Sequence, residues 1–71
     1  MSLSQVPKGE KVTIVSLNLP EAGIKRLTSL GLIPGVRIRV LNNSLTETSL
    51  IECKGSRLAL GRGLPRFIEV K

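Results

Sequence analysis

Apolar and polar residues alternate in several short segments of the chain, which is the pattern of β-strands with one buried face. The clearest segment is 36–40, in which three β-branched residues face one side and Arg37 and Arg39 face the other. We predict five strands, over residues 11–17, 36–40, 49–54, 57–60 and 67–70. The residues predicted to face inward include Val36, Ile38, Val40, Ile51, Cys53, Leu58, Leu60, Ile68 and Val70.

A segment with helical spacing lies between the first two predicted strands. Ile24, Leu27 and Leu30 recur at intervals of three residues, so a helix there would present one apolar stripe. Asn18 is a candidate N-terminal cap, and Pro20 is tolerated in the first turn of a helix. We therefore predict one short helix, inserted after the first strand.

Glycine and proline mark the predicted turns. Gly31 follows the apolar stripe at the position where a left-handed residue commonly ends a helix. Pro34 and Gly35 suit the centre of a type II turn, because proline fixes φ and glycine accepts a positive φ. Gly55 and Ser56 separate two predicted strands, and we expect them to form a tight hairpin turn.

Five short strands and one helix in 71 residues favour a single small domain over residues 1–71. Two separate sheets would lack useful cores in so short a chain, whereas a bent sheet that closes on itself removes its exposed edges. We predict a mainly β fold, a small SH3-like β-barrel of about five strands with the helix after the first strand. A five-stranded oligonucleotide-binding barrel is the alternative.

The composition excludes most catalytic and metal-binding chemistry. The chain has no His, so the usual general base is missing. It has only five acidic residues, so a catalytic pair of carboxylates would need two of five scattered glutamates. The single cysteine, Cys53, alternates inward with Ile51, and a buried free cysteine behaves as a small apolar residue. One thiol without His cannot complete a zinc or iron site within the chain. We predict a binding protein that is not an enzyme, with no cofactor and no metal site.

The strongest compositional signal is the formal net charge of +6. This charge favours an acidic partner, such as nucleic acid, an anionic lipid surface or an acidic protein surface. A basic nucleic-acid-binding (RNA) module is the alternative function, although single-strand binders usually add aromatic stacking platforms and Phe67 is the only aromatic residue. The candidate basic patch consists of Arg37, Arg39, Arg57, Arg62 and Arg66.

The cellular location is predicted from what the sequence lacks. No apolar run approaches the roughly 18 residues of a membrane-spanning helix, and the first residues lack the pattern of a signal peptide. We expect a cytoplasmic protein that is not inserted into a membrane. An unpaired strand edge would allow weak self-association, so a homo-oligomer is a further expectation.

The most specific sequence feature is the segment 26–35, which runs Arg-Leu-Thr-Ser-Leu-Gly-Leu-Ile-Pro-Gly. This segment resembles the signature of the FeoA family, which are small cytosolic proteins of bacterial ferrous iron uptake. The opening segment 8–12 and the closing segments 58–60 and 68–70 are also similar to the family pattern. The resemblance therefore covers nearly the whole chain.

The resemblance implies an SH3-like barrel with an inserted helix. It also implies an accessory or regulatory role beside FeoB, a membrane ferrous transporter that carries a cytosolic GTP-binding domain. The expected partner of this chain is then a FeoB-type transporter.

The segment 25–35 has two interpretations. In the first, the segment has a structural role only: its glycines and proline end the helix and make the turn, and its leucines fill the core. In the second, the same turn also holds an apolar anchor for a partner. In the second case Leu32 or Ile33 protrudes from a rigid turn, and Lys25 and Arg26 face an acidic surface. The candidate partner-binding residues are Lys25, Arg26, Leu30, Gly31, Leu32, Ile33, Pro34 and Gly35.

Overall fold

The computed structural model describes residues 1–44 and 46–71. Within these residues one α-helix, α1 (Glu21–Ser29), follows the first strand, and two short 3-10 helices flank the sheet, η1 (Leu3–Gln5) and η2 (Leu64–Phe67). The strands are β1 (Lys11–Leu17), β2 (Arg37–Asn42), β3 (Ser49–Cys53), β4 (Ser56–Leu60) and β5 (Ile68–Val70). The mainly β fold and the position of the helix are as predicted, whereas η1 and η2 were not predicted.

The strands form one antiparallel sheet in the order β4-β3-β2-β1-β5. The expected closure into a barrel is wrong for the described residues, because β4 and β5 are the two ends of this order and do not pair. The free edge of β5 is occupied instead by the N-terminal residues. The Val70 amide donates a hydrogen bond to the Met1 carbonyl at 2.7 Å, and Ser2 bridges to Glu69. The sheet is therefore bent, with bulges in β1 and β2, but open.

The buried face of the sheet supplies most of the core. Seven of the nine residues predicted to face inward are buried, and Val36 and Leu58 are half-buried and pack against them. The sequence did not predict the contribution of the N-terminal segment, where Leu3 and Val6 are buried in the same cluster. Cys53 is buried and unpaired, as predicted.

Helix α1 begins later than predicted. Its N-terminal cap is Pro20, whose carbonyl accepts the Ile24 amide at 3.0 Å. The Asn18 cap is wrong, because α1 begins at Glu21 with no side-chain cap. The backbone amide of Asn18 donates to the Phe67 carbonyl at 2.7 Å and ties the end of β1 to η2. The apolar stripe is also only partly buried. Leu27 lies in the core, but Ile24 is 36% and Leu30 46% exposed.

The end of α1 has the predicted left-handed glycine. Gly31 has a φ of +89°. The Gly31 amide donates to the Thr28 carbonyl at 3.0 Å, and the Leu32 amide donates to the Leu27 carbonyl at 2.9 Å. This pair of hydrogen bonds is a Schellman motif, and the two leucines it joins are both buried in the core.

The Pro34-Gly35 turn is also as predicted. Gly35 has a φ of +94°, and the Val36 amide donates to the Ile33 carbonyl at 3.1 Å, which is the geometry of a type II turn. The Gly35 amide reaches across to the Ile14 carbonyl at 2.7 Å. The turn is therefore fixed to β1 rather than free in solvent.

The hairpin between β3 and β4 turns one residue earlier than predicted. Cys53 pairs with Ser56, so Lys54 and Gly55 are the central residues of the turn. Both have positive φ, +51° and +82°, as a type I′ turn requires. The predicted Gly55-Ser56 turn is wrong by one position, because Ser56 already belongs to the ladder of β4.

Candidate docking groove

An apolar groove lies between α1 and η2, beside the end of β4, and we call it the α1–η2 groove. Its volume is 460 Å³. Leucines, the ring of Phe67 and small residues form its surface, and three arginines lie among them. The lining consists of Leu19, Gly23, Arg26, Leu27, Leu30, Ala59, Leu60, Gly61, Arg62, Gly63, Leu64, Arg66 and Phe67.

The folding of α1 and η2 explains why apolar side chains stay exposed here. The Schellman motif buries Leu27 and Leu32 but leaves Leu30, one residue before the left-handed glycine, 46% exposed. Phe67 ends η2 immediately before Ile68 enters β5, and it is 45% exposed because the alternation of the strand turns its ring away from the core. Phe67 thus lies outside the buried core, in the groove.

Three cations line the groove: Arg26 in the last turn of α1, Arg62 in the loop before η2, and Arg66 within η2. The Arg66 guanidinium lies over the Phe67 ring, 5.6 Å from its centroid, which is a cation–π contact. Among the described residues no acidic side chain lines this groove. The ion pairs found in the same residues join Met1 to Glu69 and Lys25 to Glu21, so neither neutralises a groove arginine.

The structure separates the candidate partner-binding residues of the segment 25–35. Arg26 and Leu30 line the groove. Of the two candidate anchors, Leu32 is fully buried, so it fills the core and does not protrude, whereas Ile33 is 40% exposed on the turn.

The remaining residues of the segment have other positions. Lys25 is exposed outside the groove and pairs with Glu21 at 3.3 Å, a surface ion pair that contributes little to stability. Gly31, Pro34 and Gly35 shape the backbone on which Leu30 and Ile33 are held.

The candidate basic patch is divided between two surfaces. Arg62 and Arg66 line the groove, whereas Arg37, Arg39 and Arg57 lie on the solvent-facing side of the sheet. We call this second surface the outer sheet face. It is formed by Lys11, Arg37, Arg39, Lys54, Arg57 and Glu52.

Part of the groove was missed by sequence reasoning. Leu19 and Leu64 were not candidates, because nothing local to either residue shows that η2 packs beside α1. A signal was present in the segment 61–67, where two glycines, two arginines four residues apart and the only aromatic residue come together. The predicted basic patch includes both arginines but does not join them to α1.

The described residues contain neither a candidate metal cluster nor a helix that could span a membrane. No three His, Cys, Asp or Glu side chains come together there as a metal site would require. No helix in residues 1–44 or 46–71 has the length and apolar character needed to cross a bilayer.

The fold and the groove define a small β protein with an exposed apolar groove lined by three arginines, and comparison with known proteins gives its family. The family model described as "FeoA domain" matches residues 1–71. The "Putative Fe(2+) transport protein A" of Methanocaldococcus jannaschii is 32% identical over 69 residues, which cover 97% of this chain and 83% of that protein. The chain belongs to the FeoA family.

Solved structures agree with this assignment. The crystal structure of an iron uptake regulatory protein (FeoA) matches 100% of this chain and 95% of its own, with a TM-score of 0.90 and 31% identity. A zinc-complexed FeoA of Stenotrophomonas maltophilia, described as a procaryotic SH3 domain protein, covers 100% of this chain and 89% of its own, with a TM-score of 0.81 and 24% identity. The second similarity concerns the fold alone, and it places the present sheet and helix among SH3-like structures.

Proposed function

We propose that this protein is a non-enzymatic accessory protein of ferrous iron uptake that works in the cytoplasm by docking on the cytosolic part of a FeoB-type transporter. Its family and its similarity to Fe(2+) transport protein A support the role in ferrous iron transport. The observation that carries the docking proposal is the α1–η2 groove, an exposed apolar surface with a basic rim.

The groove has the chemistry of a protein-docking site. Leu30 and Phe67 expose apolar surface to water. Covering that surface with a partner would be favourable, because it removes apolar area from water. Arg26, Arg62 and Arg66 can form bidentate pairs with carboxylates. The complementary partner segment therefore carries apolar anchors flanked by Asp or Glu.

The regulatory mechanism follows from differential affinity. A transporter with a cytosolic GTP-binding domain has at least two conformations, and a partner that binds one of them more tightly shifts the population towards it. The free-energy difference between the two conformations changes by the difference between the binding free energies for them, and by no more. No residue of this chain needs to take part in GTP hydrolysis for this mechanism to work.

Calorimetric titration of the transporter's cytosolic part tests the docking proposal. The test variant is Leu30→Ser combined with Arg66→Gln, which removes one apolar anchor and one cation from the groove. We expect Kd to rise by about tenfold or more, because the variant loses two contacts with the partner. A tenfold rise in Kd corresponds to a loss of about 1.4 kcal/mol of binding free energy.

The matched control is Arg37→Gln with Arg39→Gln, which lies on the outer sheet face and removes more charge. We expect this control to bind the cytosolic part within about threefold of the unmodified protein, because rim and remote charges mainly change on-rates. Equal weakening in both variants, or no binding by the unmodified protein, would reject docking through the groove.

A further inference from the structure

The outer sheet face contains most of the net charge of the molecule. Its five cations are all exposed, and Glu52 is the one acidic residue among them. The face therefore carries +4 of the formal +6. The ion pairs of the described residues involve none of its six side chains, so within the fold Glu52 is the one opposing charge on this face.

The register of the sheet brings these charges into a single row. Lys11 on β1 lies directly opposite Arg39 on β2, Arg39 lies opposite Glu52 on β3, and Glu52 lies opposite Arg57 on β4. Neighbouring strands are about 4.8 Å apart, so the row spans about 14 Å. Arg37 lies two residues along β2 from Arg39. Cations on neighbouring strands are thus within the screening length of about 8 Å at physiological salt, whereas the two ends of the row are farther apart than that length.

The charge pattern of the row is mixed. Glu52 lies directly opposite Arg39 and Arg57, which is favourable, but one carboxylate offsets only one of the five cations. Like charges placed directly opposite each other, as Lys11 and Arg39 are, destabilise a strand pair. An external anionic surface would relieve that repulsion.

The side chains of the outer sheet face favour one kind of negatively charged partner over another. The outer sheet face has no aromatic side chain for base stacking, because the only aromatic residue of the chain, Phe67, lies in the α1–η2 groove. The arginine and lysine side chains of the face are spread over three strands, β1, β2 and β4, and the β3–β4 turn. Such a face suits a broad array of phosphates better than it suits unstacked bases.

We propose that the outer sheet face binds the anionic phospholipid surface of a membrane and so holds this protein beside the transporter. The proposal rests on the proposed function, because ferrous iron transport places the partner in a membrane. The face and the groove share no lining residue, so the protein can contact lipid through one surface and the transporter through the other.

Vesicle co-sedimentation without any transporter tests the proposal. Vesicles of phosphatidylglycerol and phosphatidylethanolamine are compared with vesicles of phosphatidylcholine at about 0.15 M salt. We expect binding to the anionic vesicles only. Arg37→Gln with Arg39→Gln should weaken that binding by about 25-fold, since each cation near an anionic surface contributes about 1 kcal/mol, or about fivefold.

The matched control is Arg62→Gln with Arg66→Gln, which makes the same change of charge in the groove and should weaken vesicle binding by less than about threefold. All four arginines are exposed, so unchanged circular dichroism is expected for both variants. Equal loss in the two variants, or no binding by the unmodified protein, would overturn the proposal.

Two further results separate this proposal from its alternatives. Tighter binding to a short single-stranded RNA than to anionic vesicles, lost in Arg37→Gln with Arg39→Gln, would assign the face to nucleic acid and overturn the lipid proposal. If the cytosolic part of the transporter does not bind but the vesicle results hold, the docking proposal fails and the lipid-binding face stands.

Discussion

Gly31 ends α1 with a φ of +89°, a conformation that costs a residue with a Cβ about 1–2 kcal/mol. A Cβ added at this position would meet no atom within 4 Å, so the cost is purely one of backbone conformation. We expect Gly31→Ala to lower the free energy of unfolding by about 1 kcal/mol, measured by urea denaturation. The control is Gly61→Ala, where a Cβ also meets open space but φ is not positive, and little or no loss is expected. An equally stable Gly31→Ala variant would contradict this account.

Asn43 connects the N-terminal segment to the loop after β2. Its amide nitrogen donates to the carbonyls of Leu3 at 2.9 Å and Val6 at 3.0 Å, while its side-chain oxygen accepts the buried Ser49 hydroxyl at 3.1 Å. Asn43→Asp removes both donors and places a carboxylate beside two partly buried carbonyls, of which the Leu3 carbonyl keeps only its bond from the Val6 amide at 3.1 Å. We expect a loss of about 1–3 kcal/mol in thermal or urea denaturation.

The adjacent Asn42 provides the control for that substitution. Asn42 is exposed, so Asn42→Asp makes the same chemical change at the surface and should alter stability by no more than about 0.5 kcal/mol. If the two variants are equally stable, the Asn43 hydrogen bonds do not hold the N-terminal segment.

Individual residues were predictable where the requirement is local. Gly31 and Gly35 were identified because a helix end and a type II turn each need a positive φ at a fixed position. Asn43 was not, because its partners lie about forty positions earlier in the chain. The burial of Leu32 and the exposure of Ile33 were likewise undetermined, since tertiary packing decides which side of a turn faces the core.

At the level of the element, α1 divides its apolar stripe between the buried core and the exposed groove. Leu27 is buried in the core, whereas Leu30 is exposed in the groove. We expect Leu27→Ala to cost about 2–4 kcal/mol, because it removes a packed leucine. Leu30→Ser should change the unfolding free energy by no more than about 0.5–1 kcal/mol, since water already reaches half of that side chain.

Thermal unfolding of the two variants, monitored by circular dichroism, compares the contributions of Leu27 and Leu30 to stability. A loss of 1 kcal/mol lowers Tm by about 4–8 °C in a domain of this size, so the two variants are easily separated. A Leu30→Ser variant as unstable as Leu27→Ala would mean that α1 uses Leu30 for packing rather than for docking.

Strands were predicted more accurately than their closure. Alternation is a local pattern, so β1 was predicted with its observed limits and the inward residues of β2 to β5 were identified. The barrel was not formed because Met1 and Ser2 occupy the edge of β5, a contact between the two ends of the chain. The start of α1 was misplaced for a similar reason, since the backbone amide of Asn18 pairs with the Phe67 carbonyl and α1 begins only at Glu21.

The whole molecule presents two basic surfaces that differ in chemistry. The α1–η2 groove combines arginines with exposed apolar side chains, whereas the outer sheet face combines five cations with Glu52. The sequence indicated the net charge and the arginines. Only the packing of η2 beside α1 and the register of the strands show that these arginines are divided between two surfaces. These two surfaces are the basis of the proposed attachment to a transporter and to the membrane around it.

Amide NMR titration of the labelled protein with the GTP-analogue-bound cytosolic part of a FeoB-type transporter tests the central claim most directly. The account predicts chemical-shift changes that cluster on α1, the turn after it and η2, with Leu30 and Phe67 among the largest. The strand residues Arg37 and Arg39 should be unaffected. Shift changes centred on the outer sheet face, or none at saturating concentrations of the cytosolic part, would contradict docking through the α1–η2 groove.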